Sequence, residues 1–130
     1  MQERILVVDD DPDTADTLAK LISMFGYEAT AIYAGREAVE QTALLAPEMA
    51  LIDIEMPDLD GYETARQIRE KPGGSRVILV AVTGWTRPDD KRRAYDCGFD
   101  LHVAKPLDLD ALKGLLGILG PLAYAEPTVA

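Results

Sequence analysis

Ile5-Leu6-Val7-Val8-Asp9-Asp10-Asp11-Pro12 joins four consecutive aliphatic residues to three consecutive acids. The aliphatic run does not alternate with polar residues and is mostly β-branched. It reads as a strand buried on both faces, the kind found in parallel sheets. The acids mark its end. Asp11 suits the N-cap of a helix, with Pro12 in the first helical position and Gly26 just past the last. Between them Ala15, Leu18, Ile22 and Phe25 step by three and four residues and draw one apolar stripe along that helix.

The same unit recurs along the chain. Strand-like runs occupy residues 29–33, 49–54, 77–82 and 101–104. A second helix carries Ala38, Val39, Thr42 and Leu45 and stops at Pro47. A third carries Tyr62, Ala65 and Ile68 and is ended by Pro72-Gly73-Gly74. A fourth, less apolar, is expected from Arg87 to Cys97, stopped by Gly98. The fifth follows an Asp108 cap and presents Leu112, Leu115, Leu116 and Leu119. Five β-α repeats predict an α/β fold: a doubly wound five-stranded parallel sheet with right-handed crossovers and helices on both faces. The expected domain spans residues 1–120, and residues 121–130, rich in Pro and Ala, read as a flexible C-terminal tail.

Composition narrows the function. The chain has 130 residues, 48% hydrophobic and 28% charged, enough for one proper core. Its net charge of −10 argues against direct binding to nucleic acid or to anionic membranes. The longest apolar run, residues 77–82, is far too short to span a bilayer, and no leader is legible before Asp9. A single cysteine, Cys97, excludes an internal disulfide and a multi-cysteine zinc site. The expected location is the cytoplasm.

Ligands of parallel sheets bind at the carboxyl ends of the strands. Here those ends carry Asp9 and Asp10, then Asp53 with Glu55 close behind, then Thr83, then Lys105. Parallel strands bring all of them to one edge. Two carboxylates about 4 Å apart repel by roughly 4 kcal/mol at an effective dielectric of 20. Lys105 is one cation against Asp9, Asp10 and Asp53, so a divalent cation is needed for the remainder, and an all-oxygen set selects Mg²⁺ or a similarly hard ion. An Asp with a metal and a cation beside it is a competent nucleophile toward phosphoryl groups. The set reads as an aspartyl-phosphate site.

Four segments now resemble one family. Residues 5–12, Asp53-Ile54-Glu55-Met56-Pro57-Asp58-Leu59-Asp60-Gly61, Ala81-Val82-Thr83-Gly84 and Ala104-Lys105-Pro106 are similar, in order and in spacing, to the signature segments of response-regulator receiver domains. The resemblance implies a flavodoxin-like fold with strand order 2-1-3-4-5. It makes Asp53 the phosphorylated residue, Asp10 a direct Mg²⁺ ligand and Asp9 a ligand through water. Glu55 falls where the family offers a backbone carbonyl to the metal. Thr83 matches the switch hydroxyl, and Lys105, ahead of a typically cis Lys105-Pro106 bond, matches the lysine that pairs with the phosphoryl group. His102 stands where many receivers place a switching Tyr or Phe. The implied donor is a histidine kinase or a histidine phosphotransfer protein. The implied reader is a downstream effector or a covalently linked kinase. Catalysis is confined to the domain's own phosphorylation and dephosphorylation.

Other readings compete. Asp9 and Asp10 taken alone are ordinary helix caps, Thr83 an ordinary strand end and Lys105 an ordinary surface lysine. Residues 56–61 read as a turn shaping the site, Cys97 as a small packing residue, and Trp85 as a loop residue at the switch surface. Lys91-Arg92-Arg93 with Arg87 reads equally as a solvated face or a docking patch. Asp53-Ile54-Glu55 distantly resembles the Asp-x-Asp of haloacid dehalogenases, which leaves a Mg²⁺-dependent phosphohydrolase with an Asp nucleophile as an alternative. That superfamily places the motif after its first strand and needs a cap domain. A non-phosphorylated pseudo-receiver scaffold is the remaining alternative.

Overall fold

The computed structural model describes residues 3–84 and 87–120. Strands and helices alternate throughout: β1 (Arg4–Val8), α1 (Pro12–Met24), β2 (Glu28–Ile32), α2 (Gly35–Leu45), β3 (Met49–Asp53), α3 (Gly61–Glu70), β4 (Ile78–Thr83), α4 (Pro88–Asp96), β5 (Leu101–Ala104) and α5 (Leu109–Gly117). All strand pairs are parallel, in the order β2-β1-β3-β4-β5. Trp85 and residues 121–130 lie outside the described residues.

The non-alternating runs are buried on both faces because each face has its own helical layer. Leu6, Val8, Ala50, Ile52, Leu79 and Ala81 point toward α2, α3 and α4. Ile5, Val7, Met49, Leu51, Val80 and Val82 point toward α1 and α5. Each fully buried Ile or Leu here contributes about 1.5–3 kcal/mol. The caps follow the sequence: Asp11, Asp60 and Asp108 accept backbone N–H groups of the first turns of α1, α3 and α5. Gly26 takes a positive φ of 97° just past α1.

Element ends differ from the sequence reading by a residue or a few. β2 stops at Ile32 and leaves Tyr33 to donate its hydroxyl to Asp16. β3 is bounded at Asp53, although the N–H of Ile54 still donates to the carbonyl of Val82 in β4 (3.1 Å). α3 ends at Glu70 because Lys71, extended at ψ 153°, precedes Pro72, which disfavours helical backbone before it.

One residue without a local sequence signal holds the far edge together. The Arg69 guanidinium donates to Gly98 O (2.6 and 2.9 Å), Gly74 O (2.7 Å), Val77 O (2.8 Å) and Asp100 Oδ2 (2.8 Å). It thus ties the end of α3 to both loops that lead into β4 and β5. Arg69→Ala should cost roughly 3 kcal/mol, because partly buried carbonyls lose a charged donor. Urea unfolding checks this, and a loss under about 1 kcal/mol would contradict the clamp.

Candidate functional site

Strand order reverses at β1, whose neighbours are β2 and β3. The crevice at that reversal is where α/β sheets place their ligands. Asp9 and Asp10 leave β1 there, Asp53 ends β3, Thr83 ends β4 and Lys105 follows β5.

The three aspartates meet: Asp9, Asp10 and Asp53 each offer a carboxylate oxygen within 4.8 Å of the others. Asp9 and Asp53 are buried (8% and 4% exposed) and Asp10 faces solvent. Asp9 is fixed from both ends, its N–H on Ile32 O (3.0 Å) and its Oδ1 accepting the Asp11 N–H (2.9 Å). Asp53 Oδ1 accepts from Lys105 Nζ (2.8 Å) and from the Glu55 N–H (3.3 Å). The Lys105 N–H donates to Thr83 O (2.8 Å), so β4 and β5 register the lysine against the β3 carboxylate. The Lys105-Pro106 bond is cis, and Thr83 is buried.

The electrostatics show the strain of so many acids. Burial raises Asp9 above its ordinary 3.8. The Asp53 and Asp10 charges add to that, while the Asp11 N–H and Lys105 pull the other way. Burial works against the Lys105 ammonium, but its hydrogen bond to Asp53 and the charges of Asp53, Asp9 and Glu55 outweigh it and hold the lysine above 10.5. Lys105 thus stays charged, and the carboxylates still exceed it.

The loop after β3 is tightly built. Gly61 donates to Ile54 O (2.9 Å), and a Cβ there would stand 2.6 Å from Asp53 O and from Ile54 Cα. Only glycine lets α3 start so close to the strand end that carries Asp53. Asp58 holds a positive φ of 68° and pairs with Arg36 at the start of α2 (2.6 Å), which ties this loop to its neighbour. Neither Arg36 nor Arg69 carries a sequence signal, since one pairs with a residue 22 positions away and the other mostly with loop carbonyls.

Asp9, Asp10, Asp53 and Lys105 therefore converge, while Thr83 is buried at the end of β4 and is not among the residues lining the cleft. The exposed Glu55 side chain lines the same cleft of about 700 Å³ but stands outside the group of three carboxylates. His102 sits one layer behind, on β5 opposite Ala81, with Nε2 buried and without a hydrogen-bond partner among the described residues. The rest of the cleft is mixed, with Asp13, Thr14 and Thr17 of α1 beside an apolar wall of Leu18, Leu21, Pro106 and Leu107. No helix among the described residues is long and apolar enough to cross a membrane.

Known proteins are similar to this chain. The family model described as the response regulator receiver domain matches residues 5–116. An uncharacterized 14.6 kDa protein in the sodA1 3'region of Leptolyngbya boryana is 36% identical over 107 residues, 82% of each chain. Sensor histidine kinase RcsC of Salmonella typhi is 34% identical over 122 residues, 94% of this chain but 12% of the kinase. The receiver domain of sensor histidine kinase PA1611 from Pseudomonas aeruginosa, solved with a magnesium ion in its active-site cleft, superposes with a TM-score of 0.82 at 28% identity. That match covers 91% of this chain and 97% of the other. Chemotaxis protein CheY4 of Vibrio cholerae, at 22% identity, shares the fold with a TM-score of 0.87, over 92% of this chain and all of that one.

Proposed function

The chain belongs to the response regulator receiver domain family, and on that premise we propose that Asp53 accepts a phosphoryl group from a phosphohistidine in a Mg²⁺-dependent reaction. The observation that carries this is the buried Asp53 carboxylate, held by Lys105 at 2.8 Å and grouped with Asp9 and Asp10. In the transfer an Asp53 oxygen attacks phosphorus as the nitrogen–phosphorus bond of the donor breaks. The electron pair of that bond returns to the donor imidazole, which takes a proton from solvent. Lys105 keeps one positive charge beside the phosphoryl oxygens, and the Thr83 hydroxyl donates to another. The donor is a histidine kinase or a histidine phosphotransfer protein, and the phosphorylated state is read by an effector or a linked kinase. We assign the receiver unit to residues 1–120 and the reaction to the cytoplasm, with no activity beyond the domain's own phosphorylation and hydrolysis.

The donor set fits Mg²⁺: three carboxylates against one ammonium, all oxygen ligands, with Asp10 on the solvent side. Asp10, Asp53 and Asp9 would hold it, together with the backbone of Glu55. When bound, such an ion offsets the negative charge spread over the transferring phosphoryl oxygens. A metal that binds only the folded state stabilises it by about 2.7 kcal/mol at one hundred times its dissociation constant. Mg²⁺ should therefore raise the melting temperature of the wild type, and Asp10→Ala should remove that gain. An Asp10→Ala protein gaining as much as wild type would refute the metal site.

The direct test of the function is incubation with acetyl phosphate with and without Mg²⁺, followed by intact-mass analysis. One added phosphoryl group, only with Mg²⁺, is the expected result. No addition with saturating donor and metal would overturn the reading.

A further inference from the structure

His102 is the only histidine of the chain. Its strand neighbours Leu101 and Val103 pack into the α1 and α5 layer. Strand alternation therefore turns the imidazole to the other layer, beside Ala81 and beneath α4. Nε2 is buried there without a hydrogen-bond partner among the described residues. A buried nitrogen without a hydrogen bond carries an unrecovered desolvation cost, so the ring is held in place only weakly.

The helix above it is also lightly held. Ala94 is the one residue of α4 that is buried, and the Arg87 N-cap makes no side-chain cap bond. On the side away from β5, Arg93 lies over the Tyr62 ring of α3 at 4.0 Å.

We propose that His102 is a proton-operated latch for α4: the neutral ring packs beneath the helix, and uptake of one proton expels it and loosens α4 from β5. The charged groups that act on the ring are Lys91 and Asp90 of α4, and its partner on β4 is the uncharged Ala81. Burial, and then Lys91, disfavour the imidazolium, and Asp90 favours it. Asp90 is already engaged by Arg87 at 3.3 Å, which weakens its hold on a charged ring. The native protein thus takes up this proton at lower pH than the unfolded chain. Stability from the buried neutral ring is full above the unfolded value near 6.5 and is lost as pH falls through the native one. The device needs neither metal nor a modified Asp53, so the α4–β5 surface answers to pH on its own.

A single imidazole gives the ring signals one assignment. NMR titration from about pH 8 to about pH 5 follows the ring signals and the α4 amides together, in the region where only histidine ordinarily titrates. The expected midpoint lies below that of a free imidazole, with the amides of Lys91, Arg92 and Tyr95 moving on the same curve. Both should persist in an Asp53→Asn background, which separates this device from the phosphoacceptor reading. His102→Gln, or His102→Phe if the first fails to fold, should abolish the α4 transition. A midpoint at or above the free value, α4 amides that ignore the ring, or an α4 transition that survives either substitution would overturn the latch.

Discussion

Asp53→Asn should reduce acetyl phosphate labelling from one phosphoryl group per chain to none while leaving the fold intact. The amide keeps the shape of the carboxylate and an oxygen that can still accept from Lys105 and from the Glu55 N–H. It removes the anionic nucleophile, because an amide oxygen does not form a stable acyl phosphate. It also takes one of three acids from the metal group. Mg²⁺ should then stabilise the variant less than wild type. A variant that labels, or that unfolds under conditions where wild type is native, would count against this assignment.

Lys105→Ala should slow phosphorylation by roughly 10²–10³-fold, the usual cost of losing one preorganised electrostatic partner. Its effect on stability has a sign set by Asp9. Burial first, then the neighbouring acids, raise Asp9 above 3.8, and Lys105 opposes this. A raised carboxyl stabilises the fold below the ordinary value, and that contribution is lost as pH rises through the native one. Without Lys105 the native value rises further, so the metal-free variant should lose more stability than wild type between about pH 4 and pH 7. Breaking a buried pair costs about 3–5 kcal/mol, but the lysine side chain is 36% exposed, and about 2 kcal/mol at neutral pH is the discounted expectation. Saturating Mg²⁺ should return much of it. Urea unfolding at several pH values, with and without metal, measures both effects, and a pH-independent loss would contradict the coupling.

What the sequence made legible was whatever depends on neighbours in the chain. Ile5 to Val8 and the Asp11, Asp60 and Asp108 caps carry their structure in local pattern. Parallel strand ends then bring Asp9, Asp10, Asp53, Thr83 and Lys105 to one edge with no knowledge of packing. Strand ends were less legible, because Ile54 and Val77 are buried just outside their strands and look like strand residues. Ile54 even keeps one backbone bond to Val82 of β4, so neither hydrophobicity nor a single bond marks where a strand ends. The division of labour between Asp9 and Asp10, one buried and one exposed, was also hidden, since it depends on how the chain turns after β1. Arg69 and the Arg36–Asp58 pair were invisible for another reason. Their partners are loop carbonyls or a residue 22 positions away, and no spacing rule anticipates them. The orphan Nε2 of His102 likewise exists only once α4 lies over β5.

The central claim is that the phosphoryl group resides on Asp53 and on no other acid of the cluster. Borohydride reduces an aspartyl phosphate to homoserine, which leaves a permanent mark in the chain. Wild-type protein treated with acetyl phosphate and Mg²⁺, reduced and sequenced by tandem mass spectrometry should carry homoserine at position 53 alone. Homoserine at position 9 or 10, or none at all on fully labelled protein, would contradict the account.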